Sequence, residues 1–257
     1  LIMDEMDELD IAFMTIQEPG CSVAYIRGRL RQGFRVYGAA TGAKVIWLSR
    51  GQWGALVRAN GKGTDGRICV LRLSGRRGQK QILVGYYGLS GSTTSSTTLA
   101  EHEQYLRRGE KLTDGHMNKG KWLIWAGDFN MNMRLQDSES VQQPCVDRFN
   151  QFADGLHLCS AFIQRHGGIT RRDGAYTFHR KGHHTSMLDH VLLDVEQLGR
   201  VGILEQSAFQ SDHRLVLAEV QVMLHSTPTQ GLGRNLDEQC IGSWRTLDLA
   251  KLREWKH

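Results

Sequence analysis

Proline is nearly missing from this chain: there are three in 257 residues, against 29 glycines. That balance suits many short strands joined by turns. No apolar run approaches the ~20 residues that a membrane-spanning helix needs, and no signal peptide is visible. The first residue is Leu1 rather than Met, so a targeting segment upstream stays open. No Cys-x-x-Cys pair occurs among the five scattered cysteines, Cys21, Cys69, Cys145, Cys159 and Cys240. An odd, dispersed set argues against structural zinc and reads as reduced thiols in an intracellular protein, with the nucleus as one location. No internal repeat is evident. A strong charge of one sign is lacking as well: 32 Lys and Arg stand against 27 Asp and Glu, a formal net charge of +5. That excess tolerates a polyanionic partner without requiring one.

What is present is ordinary globular material, 40% hydrophobic and 23% charged, in a length that fits one large domain or a domain and a half, with a real core. Ile11–Ile16 reads as a buried strand that ends at Gln17 and Glu18. Ile26, Leu30 and Phe34, spaced by four, predict a helix over 24–33. Strand-like runs follow at Phe34–Tyr37, Val45–Leu48, Ala55–Arg58, Ile68–Leu73 and Gln81–Tyr87. Ser90–Thr98 is a Ser/Thr/Gly loop, and a helix is expected over Thr98–Gly109. Trp122–Ala126 is a buried strand that delivers Gly127, Asp128, Phe129 and Asn130 at its end. Cys145, Phe149, Phe152 and Leu156 predict a helix near Pro144–Gly155, with Pro144 in its first turn. Strands are expected at Ala175–His179, Met187–Leu193 and Arg214–Leu224, the last alternating at period two. Beyond Leu224 the pattern stops, and 225–257 reads as a linker with a short helical tail.

Residues able to do chemistry gather at these strand ends. Asp128 and Asn130, two apart in extended backbone, can project to one side. Their carboxylate and amide oxygens suit a hard cation or can orient a water; an ordinary Asp-x-Asn turn is the plainer alternative. His213, after Ser211 and Asp212, can act as a base or, protonated, stabilise phosphate charge. Asp189 lies inside an apolar strand, where a carboxylate is costly without a partner; a histidine is the natural one, because a carboxylate orients the imidazole. Glu18 reads equally well as a metal ligand or a surface carboxylate. The hydroxyls of Tyr86 and Tyr87 can reach a phosphate, though aromatic residues at strand ends are most often core. Together, a metal on Glu and Asp ligands, a water-orienting Asp/Asn and an Asp–His pair make a complete set for phosphodiester hydrolysis.

In order, Gln17-Glu18, Tyr87, Gly127-Asp128-Phe129-Asn130, Tyr176-Thr177-Phe178, Leu188-Asp189-His190 and Ser211-Asp212-His213 resemble the motif series of the endonuclease/exonuclease/phosphatase superfamily, the DNase I-like fold. The match runs from about Ile11 to Leu224, and within the superfamily it is similar to the apurinic-like endonuclease domains of non-LTR retrotransposons. The resemblance implies a four-layered α/β sandwich, two packed mixed sheets flanked by helices. It implies Glu18 and Asp212 as ligands of Mg²⁺, with Mn²⁺ as the alternative ion. It implies Asp128 as the residue that positions the attacking water, Asn130 as its phosphate-contacting neighbour, Asp189 and His213 as the Asp–His pair, and Tyr87 as the active-site tyrosine. The loop 179–186, with Arg180, Lys181, His183 and His184, becomes a phosphate-contact surface.

Two departures stand out. The family opens with a strand carrying a metal-site Asn upstream of the Gln-Glu pair, and none of the 16 residues before Gln17 matches it. The family also often carries Pro and a polar residue soon after the Tyr, where this chain reads Tyr87, Gly88, Leu89, Ser90; Ser90 is a weak substitute. The expectation is therefore a domain over 1–224 lacking its first strand. It acts as a monomeric, metal-dependent endonuclease on nucleic acid, DNA foremost, with no membrane partner and in a retroelement-type protein. The alternatives are a phosphatase or phosphodiesterase on a small or lipid phosphate, and a non-catalytic nucleic-acid-binding relic.

Overall fold

The computed structural model describes residues 2–62, 66–74, 80–89, 96–113, 123–131, 143–166, 176–178, 187–204 and 211–220. A helix, α1 (Ile2–Glu8), leads into β1 (Phe13–Gln17), a short helix α2 (Val23–Arg27), β2 (Arg35–Gly38) and β3 (Val45–Ser49). β1 and β2 pair antiparallel on either side of β3. Then come β4 (Val57–Lys62), β5 (Ile68–Ser74), β6 (Lys80–Tyr87), α3 (Ser96–Thr113), β7 (Leu123–Asp128), α4 (Gln143–Gly155), β8 (Cys159–Ser160), α5 (Ala161–His166) and β9 (Asp189–Leu193). Six of these strands form one sheet in the order β4-β5-β6-β7-β9-β8, mixed because β6 and β7 run parallel. β10 (Leu198–Leu204) and β11 (Leu215–Val220) form an antiparallel ribbon.

Strand alternation sorts the side chains into layers. On β3, Ile46 and Leu48 join Met6 of α1 and Val23 of α2 in one core. Val45 and Trp47 point the other way and meet Leu71, Leu83, Ile124 and Leu193 of the large sheet. Residues on the far side of that sheet, Ile82, Val84, Leu123, Trp125 and Leu192, pack under Leu106 of α3 and Phe149 of α4. The result is helices, sheet, sheet, helices: the expected α/β sandwich, with its first sheet layer divided into β1-β3-β2 and the β10-β11 ribbon. β7, covered on both faces, is apolar at nearly every position and buried throughout.

Local chemistry moves several boundaries. α2 is one short helix rather than a helix to residue 33: after Gly28 the bonds tighten to i→i−3, with the Arg29 N–H on the Ile26 carbonyl and the Leu30 N–H on the Arg27 carbonyl. The run from Ala55 begins in a 3₁₀ turn, Gly51–Leu56, and becomes strand only at Val57. Around Tyr176 the described backbone makes a single bridge, Phe178 to His213, in place of a strand. No helix among the described residues is long and apolar enough to cross a membrane. Cys21, Cys69 and Cys159 are free thiols.

Candidate active site

One rung of the large sheet collects the chemistry. Tyr87 is in register with Asp128 across the parallel β6–β7 pair, and Asp128 with Asp189 across the antiparallel β7–β9 pair. Period two sends all three to the face between the sheets, where they line a cleft of about 1080 Å³. Glu18 and Asn130 line the same cleft. So do Asp212 and His213, from the segment that enters β11. The rung depends on Gly127: its φ of +147° and its closeness to the Tyr86 carbonyl and Gln17 Nε2 leave no room for a Cβ.

Asp128 is 4% exposed. Its Oδ1 accepts the Asn130 N–H at 2.7 Å, and its carbonyl accepts the Gly88 N–H at 2.8 Å. Asn130 sits at φ +52°, in the left-handed region that asparagine tolerates, and Nδ2 donates to the Gly88 carbonyl at 3.2 Å. Burial pushes the Asp128 carboxyl up to about 7, and the negative charge of Asp189 opposite adds to the shift.

His213 Nδ1 lies 2.8 Å from Asp189 Oδ2. Burial works against charging this ring, but the hydrogen bond and charge of Asp189, with Asp128 and Asp212 behind it, raise it to about 9. At neutral pH it is an imidazolium, Nδ1–H donating to Asp189 and Nε2–H left for another acceptor. Thr177, fully buried, fixes the partner: its Oγ1 accepts the backbone N–H groups of Leu188 and Asp189 at 2.9 and 3.0 Å. The Arg214 N–H bond to the Thr177 carbonyl and the Phe178–His213 bridge bring the histidine alongside.

Glu18 follows β1 at φ +43°, held by its N–H on the Lys44 carbonyl. Such strain costs on the order of 1–3 kcal/mol and collects at functional sites. The Tyr87 hydroxyl is pushed up to about 12 by burial and then by its hydrogen bond and closeness to Glu18, so it keeps its proton and donates to that carboxylate. Arg67 stacks over the Tyr87 ring at 4.9 Å and donates from Nη1 to the Gly88 carbonyl at 2.7 Å.

The donor set suits a magnesium ion. Four carboxylates, Glu18, Asp128, Asp189 and Asp212, line the cleft, and oxygen donors of this kind are the ones a hard divalent cation takes. Among the described residues no three His, Cys, Asp or Glu side chains converge into a ready cage. Mg²⁺ does not need one: it keeps several waters and is bound through one or two carboxylates plus phosphate oxygens.

Seven residues singled out in the sequence, Glu18, Tyr87, Asp128, Asn130, Asp189, Asp212 and His213, thus face one cleft. Tyr86 goes to the opposite face and is core. Ser90 and the basic loop with Arg180, Lys181, His183 and His184 lie outside the described residues, as does the tail 225–257. Two participants carry no sequence signal: Arg67, and Arg214, which lines the cleft and stacks over the Tyr176 ring at 3.7 Å. Thr177 stands in the Tyr176-Thr177-Phe178 motif, but its part as a double acceptor is seen only in the structure.

No family model matches the chain, and no curated protein matches it. Solved structures do. The 3'-5' exonuclease NExo from Neisseria meningitidis superposes with a TM-score of 0.63 at 19% identity, over 86% of this chain and 94% of that one. The endonuclease domain of TRAS1, a telomere-specific non-LTR retrotransposon, gives 0.58 at 17% identity, over 86% and 91%. An AP endonuclease from Archaeoglobus fulgidus gives 0.62 at 13%, over 86% and 93%. The chain has the fold these share, the DNase I-like fold.

Proposed function

We propose that this chain, built on the DNase I-like fold, is a Mg²⁺-dependent phosphodiester hydrolase that nicks DNA as the endonuclease of a retroelement-type protein. The observation that carries the reading is the Tyr87–Asp128–Asp189 rung closed by His213 at 2.8 Å. The likeness to three DNA-processing enzymes favours DNA among phosphate esters.

Each residue has work that its surroundings support. Asp128, near 7, can take a proton from a water at working pH, where a general base is most effective. His213, held charged by Asp189, directs Nε2–H at a phosphate oxygen and stabilises the charge that grows there. Asn130 spends one amide hydrogen on Gly88 and keeps the second for substrate. Tyr87 stays protonated and orients Glu18. Glu18 and Asp212 would hold the metal, which supplies positive charge to a non-bridging phosphate oxygen when bound. Ser90, Arg180, Lys181 and His183 remain substrate contacts in this proposal, with the protein intracellular and acting as a monomer.

The domain ahead of residue 224 is read as lacking one strand. β1 and β11 each leave one edge unpaired among the described residues, and both border the cleft. The Gln81 amide, fully buried and lining the same cleft, makes no side-chain hydrogen bond among the described residues. The Asn-bearing strand that the resemblance expects would fit between those edges.

The test is nicking of supercoiled plasmid with Mg²⁺ and with EDTA, beside phosphate release from inositol phosphates. Nicking that needs the metal is expected. Phosphate release without nicking would move the reading to a small-phosphate esterase. Neither activity, with no Mg²⁺ heat in calorimetry, would make the chain a binding relic.

A further inference from the structure

The catalytic loop is held from behind by a buried pair that has no place in the chemistry above. His190 follows Asp189 on β9 and so points to the opposite face, 1% exposed. Its Nδ1 lies 3.2 Å from Ser160 Oγ on β8, and its Nε2 lies 3.4 Å from the Met131 carbonyl oxygen. The tautomer follows from the partners. A carbonyl only accepts, so Nε2 carries the hydrogen; in the neutral imidazole Nδ1 is then the acceptor, and the Ser160 hydroxyl donates to it. The three groups form one directed chain, Ser160 O–H to Nδ1, then Nε2–H to the Met131 carbonyl.

The place where that chain ends matters. Asn130, at φ +52°, is the strained residue of the loop. On one side of it the Phe129 N–H is bonded to the Leu188 carbonyl at 2.8 Å, and on the other Met131 is bonded to His190. The two tethers come from Leu188, the residue before β9, and from His190, its second residue, and the residue between them is Asp189. We infer that His190, braced at Nδ1 by Ser160 and held in one tautomer by the Met131 carbonyl, is a positioning residue: it clamps the loop Asp128–Met131 onto the strand that carries Asp189, and so fixes the Asp128 carboxylate and the Asn130 amide against the Asp189–His213 pair. The inference rests on the proposed hydrolase reading for its kinetic consequence, and on geometry alone for its structural one.

The variants are His190→Phe, which keeps an aromatic ring and removes the hydrogen bonds to Ser160 and Met131, His190→Gln, which keeps a donor and an acceptor, and Ser160→Ala, which removes the brace at Nδ1. The first readout is amide exchange of the Phe129 and Asn130 N–H groups in the full chain. His190→Phe should speed it about tenfold or more, Ser160→Ala less, and His190→Gln little, because loss of a tether lowers the local opening free energy. The second is plasmid nicking: His190→Phe should lower kcat by about tenfold to a hundredfold with KM near the parent value, since a small misplacement costs rate rather than binding. Unchanged exchange in His190→Phe overturns the inference; so does a Gln variant as loose as the Phe variant, since packing alone would then be responsible. If His190→Phe does not fold, unchanged exchange in Ser160→Ala overturns it equally. A parent chain that nicks nothing would end the hydrolase reading and leave the exchange result to decide the clamp.

Discussion

His213 and His102 lie on opposite sides of the same sheet, and they titrate in opposite directions. His102, on α3, is 2% exposed, packs edge-on against Tyr86 at 6.2 Å, and has no hydrogen bond at either ring nitrogen among the described residues. Burial pushes it down to about 4. His213 is also drawn from water, yet Asp189 and two further carboxylates lift it to about 9. Burial is common to both; the carboxylates that β7 and β9 aim at one ring are not. The lesson is that the helix-covered face of the sheet excludes charge while the cleft face assembles it, from alternate residues of the same strands. β9 displays this in two successive positions, Asp189 to the cleft and His190 to the core.

The contrast can be broken most forcefully at Asp128. Asp128→Asn keeps the shape and the Asn130 tether and removes the proton acceptor, so the nicking rate should fall by about a thousandfold, within the range general bases supply. A variant as fast as the parent would take Asp128 out of the mechanism.

Next comes Asp189→Asn, which should cost about a hundredfold in rate and convert His213 toward the behaviour of His102. The sign is fixed by linkage. Because Asp189 raises the folded pKa of His213 from 6.5 to about 9, the pair's stabilisation is complete below pH 6.5 and is lost as pH rises through 9. Activity that needs the imidazolium is lost over that same alkaline limb. In the variant the limb moves to lower pH, and NMR titration of the His213 ring reads the shift directly. A ring that still titrates near 9 would deny Asp189 its role.

The smallest effect belongs to His102→Leu, with nicking unchanged. Here the folded pKa is depressed from 6.5 to about 4, so the unfolded chain binds the extra proton and the parent loses stability as pH falls between those values. The variant should lose less over that window, seen as a Tm difference between parent and variant that shifts in the variant's favour on acidification. An equal pH dependence in the two would show that His102 is not excluded from charging.

Much of the cleft was legible because strand ends announce themselves. Apolar runs that stop at Glu18, Tyr87 and Asp128 predict both the strand and the side its last residue takes, and β1, β6 and β7 lie within a residue or two of those runs. An acidic residue inside Asp189–Leu193 demanded a partner, and His213 is that partner. Elements without a periodic signature were not legible. α1, largely acidic, is held by Met6 in the outer core. β10, with Gly199 and Gly202, is a strand because β11 pairs with it. Tyr176–Phe178 looks like a strand by composition but is fixed by contacts to Asp189 and His213 far along the chain. Arg67 is found only through its neighbours, Tyr87 and Gly88.

The central claim meets its most direct test in one gel: parent chain, Asp128→Asn and His102→Leu on supercoiled plasmid with Mg²⁺ at neutral pH. The account predicts equal nicking by the parent and His102→Leu and almost none by Asp128→Asn. Nicking by Asp128→Asn at the parent rate would contradict it.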